Sequence, residues 1–356
     1  MWFQEYCAKT VINFCIAFST GKTIITGITG QDGAYLSKFL LENGYRVIGG
    51  DRRTSRGSLW RLEELGIRND IELINFELSE LTNIYRTIEK FEFDEIYNLA
   101  AQSFVAASFE LPTMTADVTA LGVCRILEGI RNINPKIKFY QASSSEMFGK
   151  ALETPQNENT PFYPRSPYAV SKLFGHWIAV NYRESYEMFT VSGILFNHES
   201  PLRGEEFVTR KITSSLAKIK TGTQNVLELG NLDAKRDWGF SGDFVKGMWQ
   251  MMQHDVPDEY VLATGTNFSV RDFVNAAAPH FGFDLMWEGK GIEERGIDRK
   301  TNTMIIKINP KFFRPADVVE LLGNPSKAKA VLGWEPEVSF EELVEMMSES
   351  DLRKFS

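Results

Sequence analysis

The segment Lys22–Gly33, KTIITGITGQDG, constrains this chain more than any other. A β-branched run, expected as a strand over Thr23–Thr26, leads into three glycines at Gly27, Gly30 and Gly33. Leu36, Phe39 and Leu40 then recur at helical spacing within Gln31–Asn43, and Gly44 stands where such a helix would stop. A strand that passes through a glycine turn into a helix is the opening unit of a βαβ fold. Its glycines let backbone approach a ligand closely, and the helix N-terminus favours an anion. The expected ligand is the pyrophosphate of a dinucleotide, held by Gly27, Ile28, Thr29, Gly30, Gln31, Asp32 and Gly33. The spacing is GxxGxxG rather than GxGxxG, so the glycines carry weight because the strand and helix they require flank them.

The pattern repeats downstream. Strands are expected at Tyr45–Gly50, Ile71–Phe76, Asp94–Ala100, Lys138–Ala142 and Thr190–Leu195, with helices at Thr82–Lys90 and Asp117–Asn132. Alternation at these lengths predicts an α/β chain with a Rossmann-type, doubly wound parallel sheet that binds ligands at the C-terminal ends of its strands. Candidate contacts fall at those ends. Asp51 precedes Arg52, Arg53, Thr54 and Ser55; an acid there suits a ribose 2′-hydroxyl, whereas paired arginines clamp a 2′-phosphate, which favours NADP over NAD. Glu77 and Leu78 are placed to flank an adenine, and Leu99, Ala100, Ala101, Gln102 and Ser103 offer small residues where a cofactor passes.

The chemistry concentrates between Gln141 and Lys172. Ser144 and Glu146 follow a strand, and Tyr168 and Lys172 stand four residues apart, one turn on one helix face. A Tyr is a poor base at its ordinary pKa of about 10, and a neighbouring ammonium favours the phenolate. On an extended segment Ser144 and Glu146 would share a face. An alcohol oxidation needs the hydroxyl, Tyr and Lys; an additional carboxylate equips the site for an elimination.

Beyond Leu195 the pattern becomes irregular. Arg203, Arg210, Lys211, Lys235, Arg236, Arg271 and Arg314 are scattered among short apolar segments (Val226–Gly230, Tyr260–Thr264, Ile305–Ile308). This suits a smaller, mixed α/β substrate domain around an anionic ligand, of which only some of these cations would be contacts. His198 reads equally as an ordinary hydrogen-bonded histidine or a ligand contact. Gly289–Thr303 reads as a mobile loop, and Glu341–Met347 as a helix packing back on the small domain. The expected divisions are an extension over 1–20, a nucleotide-binding domain over 21–195 to which later segments return, and a substrate domain over 196–356.

With 47 acidic against 39 basic residues, the net charge of −8 argues against a nucleic-acid partner. No stretch reaches the ~20 apolar residues of a membrane span. Three cysteines, Cys7, Cys15 and Cys124, show no metal spacing and point to a reducing, cytoplasmic setting, with Cys124 a small core residue. No metal site is expected. The N-terminal residues, with Glu5 early and no clear cleavage site, read as an extension rather than a leader.

The combination TGxxGxxG, S-x-E and Y-x-x-x-K resembles the extended short-chain dehydrogenase/reductase superfamily. Within it, TPFYPRSPYAVSK (160–172), GILFNHESPLRG (193–204), LGNLDAKRDWG (229–239) and FFRPADV (312–318) resemble the GDP-mannose 4,6-dehydratase family. The resemblance extends from Thr26 to about Met347. It implies dehydration of GDP-mannose to GDP-4-keto-6-deoxymannose by a hydride shuttle through tightly bound NADP. Tyr168 would take the C4 hydroxyl proton, Lys172 would tune it and hold the nicotinamide ribose, Glu146 would remove the C5 proton, and Ser144 would bind the sugar near C4. The same resemblance carries cofactor contacts onto Arg52–Ser55, Leu99–Ser103, Lys172, His198 and Arg203. It carries substrate contacts onto Ser103, Asn197, Lys211, Arg236 and Arg314, and implies a dimer or tetramer. Asp51, Glu77, Met114 and Ser144 depart from the family's usual residues; Asp51 leaves room for NAD. A 4-keto-6-deoxy-sugar reductase, a dehydratase of UDP- or dTDP-sugars and a catalytically silent NADP-binding regulator are the alternatives; the regulator would not need the full Ser144, Glu146, Tyr168, Lys172 set.

Overall fold

The computed structural model describes residues 21–52, 59–312 and 321–356. In the first half, strands β1 (Lys22–Thr26), β2 (Arg46–Asp51), β3 (Glu72–Asn75), β4 (Glu95–Asn98), β5 (Lys138–Ser144) and β6 (Thr190–Leu195) occur close to where the pattern placed them. They are joined by helices α1 (Gln31–Glu42), α2 (Trp60–Glu64), α3 (Leu81–Phe91), α4 (Val105–Glu110), α5 (Pro112–Ala116), α6 (Gly122–Ile133) and α7 (Pro167–Tyr186). Gly44 takes φ +80° just beyond α1, the left-handed value that ends a helix. The expected helix over Asp117–Asn132 is instead a π turn at Asp117–Leu121 running into α6.

The later elements are β7 (Asn197–Glu199), α8 (Val208–Lys220), β8 (Leu227–Leu229), β9 (Lys235–Arg236), β10 (Trp238–Phe240), α9 (Ser241–Gln253) and β11 (Glu259–Leu262). After them come β12 (Phe268–Ser269), α10 (Val270–Ala277), β13 (Leu285–Glu288), β14 (Arg295–Asp298), β15 (Thr303–Ile308), α11 (Ser326–Leu332) and α12 (Phe340–Phe355).

The large sheet runs β11-β6-β5-β4-β1-β2-β3, with every pair parallel. All residues of β4 and β6 are buried, as a parallel sheet covered by helices on both faces requires. Chain order reverses between β1 and β4, and a crevice at such a switch point is where open α/β sheets bind ligands. A four-stranded sheet, β13-β14-β15-β8, lies apart.

Two expectations change here. Tyr260–Thr264 does not belong with the irregular segments: β11 pairs with β6 and extends the large sheet. Gly289–Thr303 is not wholly a loop, because β14 pairs on both sides with β13 and β15. Its strand character is set by context, since Ile297 is buried and Arg271 grips Glu294 at 2.6 Å just before the strand. Cys124 is half-buried rather than a core residue. The C-terminal helix does pack back, α12 against α8, and Ser339 and Glu342 form a capping box at its start.

Candidate active site

The nucleotide cradle begins where β1 ends. Gly27 takes φ +68°, and a Cβ there would lie 2.9 Å from the Ala100 backbone, so no other residue fits. At Gly33 a Cβ would stand 2.5 Å from Ile28 Cα, which explains how closely α1 seats against the loop. At Gly30 the surroundings are open: a Cβ would meet only the Gly27 carbonyl, at 3.2 Å. Gly30 also begins α1 with no side-chain cap, so the helix's first N–H groups are left for a ligand. Open space before uncapped amides fits the pyrophosphate of a nicotinamide dinucleotide.

The side chains of this loop face the other way, toward residues 198–200. Gln31 donates to the His198 carbonyl at 3.0 Å and accepts from Ser200 at 2.7 Å. Asp32 meets His198 Nε2 at 2.8 Å and accepts from Ser241 at 2.8 Å. Burial would raise the Asp32 carboxyl, but the charge and hydrogen bond of His198 outweigh it and hold the group far below the usual range. His198 is raised by the same pair against its own burial, and its Nδ1 lies 2.7 Å from the Phe196 carbonyl, so both nitrogens act as donors. His198 is therefore a clamp on the loop as much as a wall of the site. Of its neighbours, Ser200 lies within the matched GILFNHESPLRG segment without being singled out, and Ser241 just past LGNLDAKRDWG. Arg61, also unforeseen, donates to the carbonyls of Thr29 and Leu202.

The reactive corner lies at the end of β5. A side-chain network leads to it across the strand ends, Thr26 to Asn98 at 2.8 Å and Asn98 to Gln141 at 2.9 Å. Ser144 does not continue as an extended segment into Glu146, contrary to expectation. Its hydroxyl accepts the Glu146 N–H at 3.2 Å and caps a single 3₁₀ turn, Ser145–Met147. That turn still keeps both groups beside Tyr168, whose hydroxyl is hydrogen-bonded to Ser144 and feels the Glu146 charge. Ser166 caps α7 through the Ala169 N–H at 3.1 Å and Pro167 opens the helix, which fixes Tyr168 in the first turn. Burial pushes the Tyr168 phenol up to about 12, Ser144 opposes the rise and Glu146 adds to it. Lys172 donates to the Ala142 carbonyl at 2.8 Å, and burial brings its ammonium down to about 8. Its Nζ lies 5.9 Å from the Tyr168 ring centre. The ammonium is close, yet burial and not Lys172 dominates the phenol. Ser143 turns away to His176 Nδ1 at 3.1 Å, and burial draws that imidazole down to about 4.

The remaining candidates divide. Ala100 and Ala101 are half-buried beside Gly27, with the Ala100 N–H donating to Thr26 Oγ1 at 3.1 Å, and Leu99 packs partly against the core. Gln102 is fixed through its N–H to Thr119, and Ser103 is exposed. Glu77 turns its carboxylate onto Ser79 at 3.0 Å, and the Leu78 side chain is buried in the core while its carbonyl accepts from Arg125 at 3.0 Å. Arg52 is exposed just past β2, with its N–H on Asp51 at 3.0 Å. Asn197 Oδ1 is buried without a hydrogen-bond partner, an orphan suited to a polar ligand. Arg203 pairs with Glu199 at 3.0 Å over the Phe207 ring, Lys211 lies over the Phe312 ring, and Arg236 is half-buried on β9. Arg210 and Arg271 are occupied in ion pairs with Asp351 and with Glu294 and Asp233. Arg53, Thr54, Ser55 and Arg314 lie outside the described residues, as do residues 1–20. Among the described residues no cluster of His, Cys, Asp or Glu could hold a metal ion, and no helix is long and apolar enough to cross a membrane.

A seven-stranded parallel sheet with a glycine cradle at its switch point and a Tyr–Lys pair beside it defines the short-chain dehydrogenase/reductase architecture. Solved structures agree on the fold. A Thermotoga maritima UDP-glucose 4-epimerase superposes with TM-score 0.79 at 22% identity, covering 94% of this chain and 100% of the epimerase. A Bacillus anthracis dTDP-glucose 4,6-dehydratase in complex with NAD superposes with TM-score 0.76 at 20% identity, covering 93% and 96%. The sequence goes further. The family described as GDP-mannose 4,6 dehydratase matches residues 24–347. A GDP-mannose 4,6-dehydratase of Sinorhizobium fredii is 52% identical over 336 residues, covering 92% of this chain and 96% of that protein. The GDP-mannose 4,6 dehydratase of Homo sapiens is 48% identical over 338 residues, covering 92% and 91%. The chain belongs to the GDP-mannose 4,6-dehydratase family.

Proposed function

We propose that the protein is a lyase that converts GDP-mannose to GDP-4-keto-6-deoxymannose and water. The observation that carries this reading is the placement of a carboxylate, Glu146, one short turn from the Ser144–Tyr168 hydroxyl pair. A nicotinamide dinucleotide bound in the cradle supplies the hydride acceptor at C4 and the donor at C6, which makes the overall reaction redox-neutral. The rest falls to side chains. Tyr168, as the phenolate, takes the C4 hydroxyl proton while Ser144 holds the sugar there, and gives that proton back at C5 when C6 is reduced; the C4 ketone formed in between acidifies C5–H. Glu146 removes the C5 proton, and its conjugate acid protonates the C6 hydroxyl as it leaves as water. Lys172, anchored on Ala142, supplies a charge one turn away that favours ionised Tyr168 and holds the nicotinamide ribose. Asn197, with its orphaned oxygen, and the cations Lys211, Arg236 and Arg314 are assigned to the GDP-sugar.

Incubation of the purified protein with GDP-mannose and no added cofactor tests the reading by product mass. Loss of one water supports it and tightly held cofactor together. Loss of water from a dTDP-sugar alone would move the assignment to another dehydratase.

We assign NADP as the cofactor, on the adjacent arginines after β2. Arg52→Ala combined with Arg53→Ala should weaken NADP far more than NAD, measured by nucleotide titration; equal losses would remove the 2′-phosphate from that loop. We further assign a homo-oligomer. Phe109, Leu111, Met114 and Leu121, together with Val170, Phe174 and Trp177 on the adjoining α7, expose an apolar face suited to a second copy. The cytoplasm is the compartment assigned, consistent with the free Cys124 thiol.

A further inference from the structure

Thr29 and Leu202 belong to segments far apart in sequence, and one guanidinium holds both. Arg61 Nη1–H donates to the Thr29 carbonyl at 3.0 Å, and its Nε–H donates to the Leu202 carbonyl at 2.6 Å. The Thr29–Gly30 peptide is planar, so its carbonyl and its N–H point in opposite directions from one rigid unit. Arg61 grips the carbonyl, and the Gly27 carbonyl accepts the N–H at 2.9 Å. The plane of the peptide at the head of α1 is thereby fixed from both ends.

The second arm of Arg61 is equally placed. Leu202 lies between Ser200, which grips Gln31, and Arg203, which pairs with Glu199. The Leu202 N–H donates back to Ser200 at 3.0 Å. The Trp60 ring lies 4.4 Å beneath the guanidinium and limits its movement. A lysine, with one terminal nitrogen, cannot present the rigid fork that spans two carbonyls.

We propose that Arg61 is a positioning residue that clasps the glycine loop to the Pro201–Arg203 segment, holding the two walls of the cofactor cradle at one fixed spacing. The proposal rests on the reading that residues 27–33 hold the cofactor. The hydrogen bonds of Arg61 go to backbone carbonyls and not to Ser144, Glu146, Tyr168 or Lys172, so its loss should loosen binding more than it slows chemistry.

Three variants test it by titrating nucleotide-depleted enzyme with NADPH, followed by nicotinamide fluorescence, alongside kcat and KM for GDP-mannose. Arg61→Gln should raise the NADPH Kd about tenfold, the size expected when a charged donor is lost from two part-buried carbonyls. Arg61→Lys should recover part of that loss, and kcat at saturating cofactor should fall less than affinity in both. Gly30→Val, which places a side chain in the open cradle, should abolish NADPH binding. Wild-type NADPH affinity in both Arg61 variants, with Gly30→Val unable to bind, would overturn the clasp while leaving the cradle in place. NADPH binding unchanged in Gly30→Val would overturn the cradle and the clasp with it. Should Arg61→Gln not fold, Arg61→Lys decides alone: affinity equal to wild type would overturn the proposal. A fall in kcat at unchanged NADPH affinity would likewise overturn it, placing Arg61 at the reacting centre.

Discussion

Arg210 and Asp351, between α8 and α12, meet at 2.6 Å in a fully buried pair. Thr213 donates to the same carboxylate at 2.6 Å, and the Pro201 carbonyl accepts from the guanidinium. Tyr168 and Lys172, at the corner of β5 and α7, are buried almost as deeply, at 8% and 5% exposure. Their partners differ in kind: a serine hydroxyl for the phenol and a backbone carbonyl for the ammonium, with no carboxylate among the described residues pairing with Lys172. The first corner sets an opposite charge against each buried one, although burial still raises the Asp351 carboxyl against the pull of Arg210 and Thr213. The second buries titratable groups and leaves their proton balance displaced, the phenol up to about 12 and the ammonium down to about 8. Compensated burial suits a strut between helices, whereas uncompensated burial beside a cleft suits a site that moves protons.

The contrast can be broken from either side. Tyr168→Phe should lower kcat roughly a hundredfold to ten-thousandfold, the range of a lost acid–base group, with thermal unfolding unchanged. Activity close to wild type would remove Tyr168 from proton transfer. Asp351→Ala should do the reverse, costing about 3–5 kcal/mol of stability because Arg210 is left buried and unpaired. Urea unfolding measures the cost, and the remaining folded enzyme should keep its specific activity. Reduced activity at full stability would make that corner part of the site.

Ser144→Ala is expected to act through Tyr168. Removing the hydrogen bond that opposes the rise should push the phenol higher, so C4 oxidation at a fixed pH slows and its rise with pH moves to more alkaline values. Glu146→Gln removes a charge that raises the phenol and should move the same limb to lower pH. Nicotinamide absorbance followed across pH separates the two directions. The smallest effect belongs to Arg271→Ala. Its pairs with Asp233 and Glu294 are part-exposed, so the change should cost about 1 kcal/mol or less and leave the KM for GDP-mannose unaltered.

The half of the site at the ends of β1 to β5 was readable because each demand there falls on one short stretch. Gly27 must allow a close backbone approach, the glycine turn must lead from a strand into a helix, and Tyr168 and Lys172 must share a helix face. What escaped were roles set by contacts between distant segments. Nothing in the neighbourhood of Arg61 announces that its fork reaches Thr29 and Leu202. Among the scattered cations nothing in the sequence separates Arg210 and Arg271 from ligand contacts; the fold does, by bringing Asp351 and Glu294 to them. Likewise β11 and β14 are too short to carry a period of their own, and neighbouring strands decide them. Ser144 to Glu146 was misread as extended because a serine hydroxyl can cap a turn as readily as continue a strand.

The role of Glu146 is tested most directly by giving Glu146→Gln enzyme GDP-mannose and following nicotinamide absorbance and sugar mass together. The expected result is reduced nicotinamide accumulating with a 4-keto sugar that retains all its oxygens but one pair of hydrogens. Release of water at the wild-type rate would contradict the assignment of the elimination to this carboxylate.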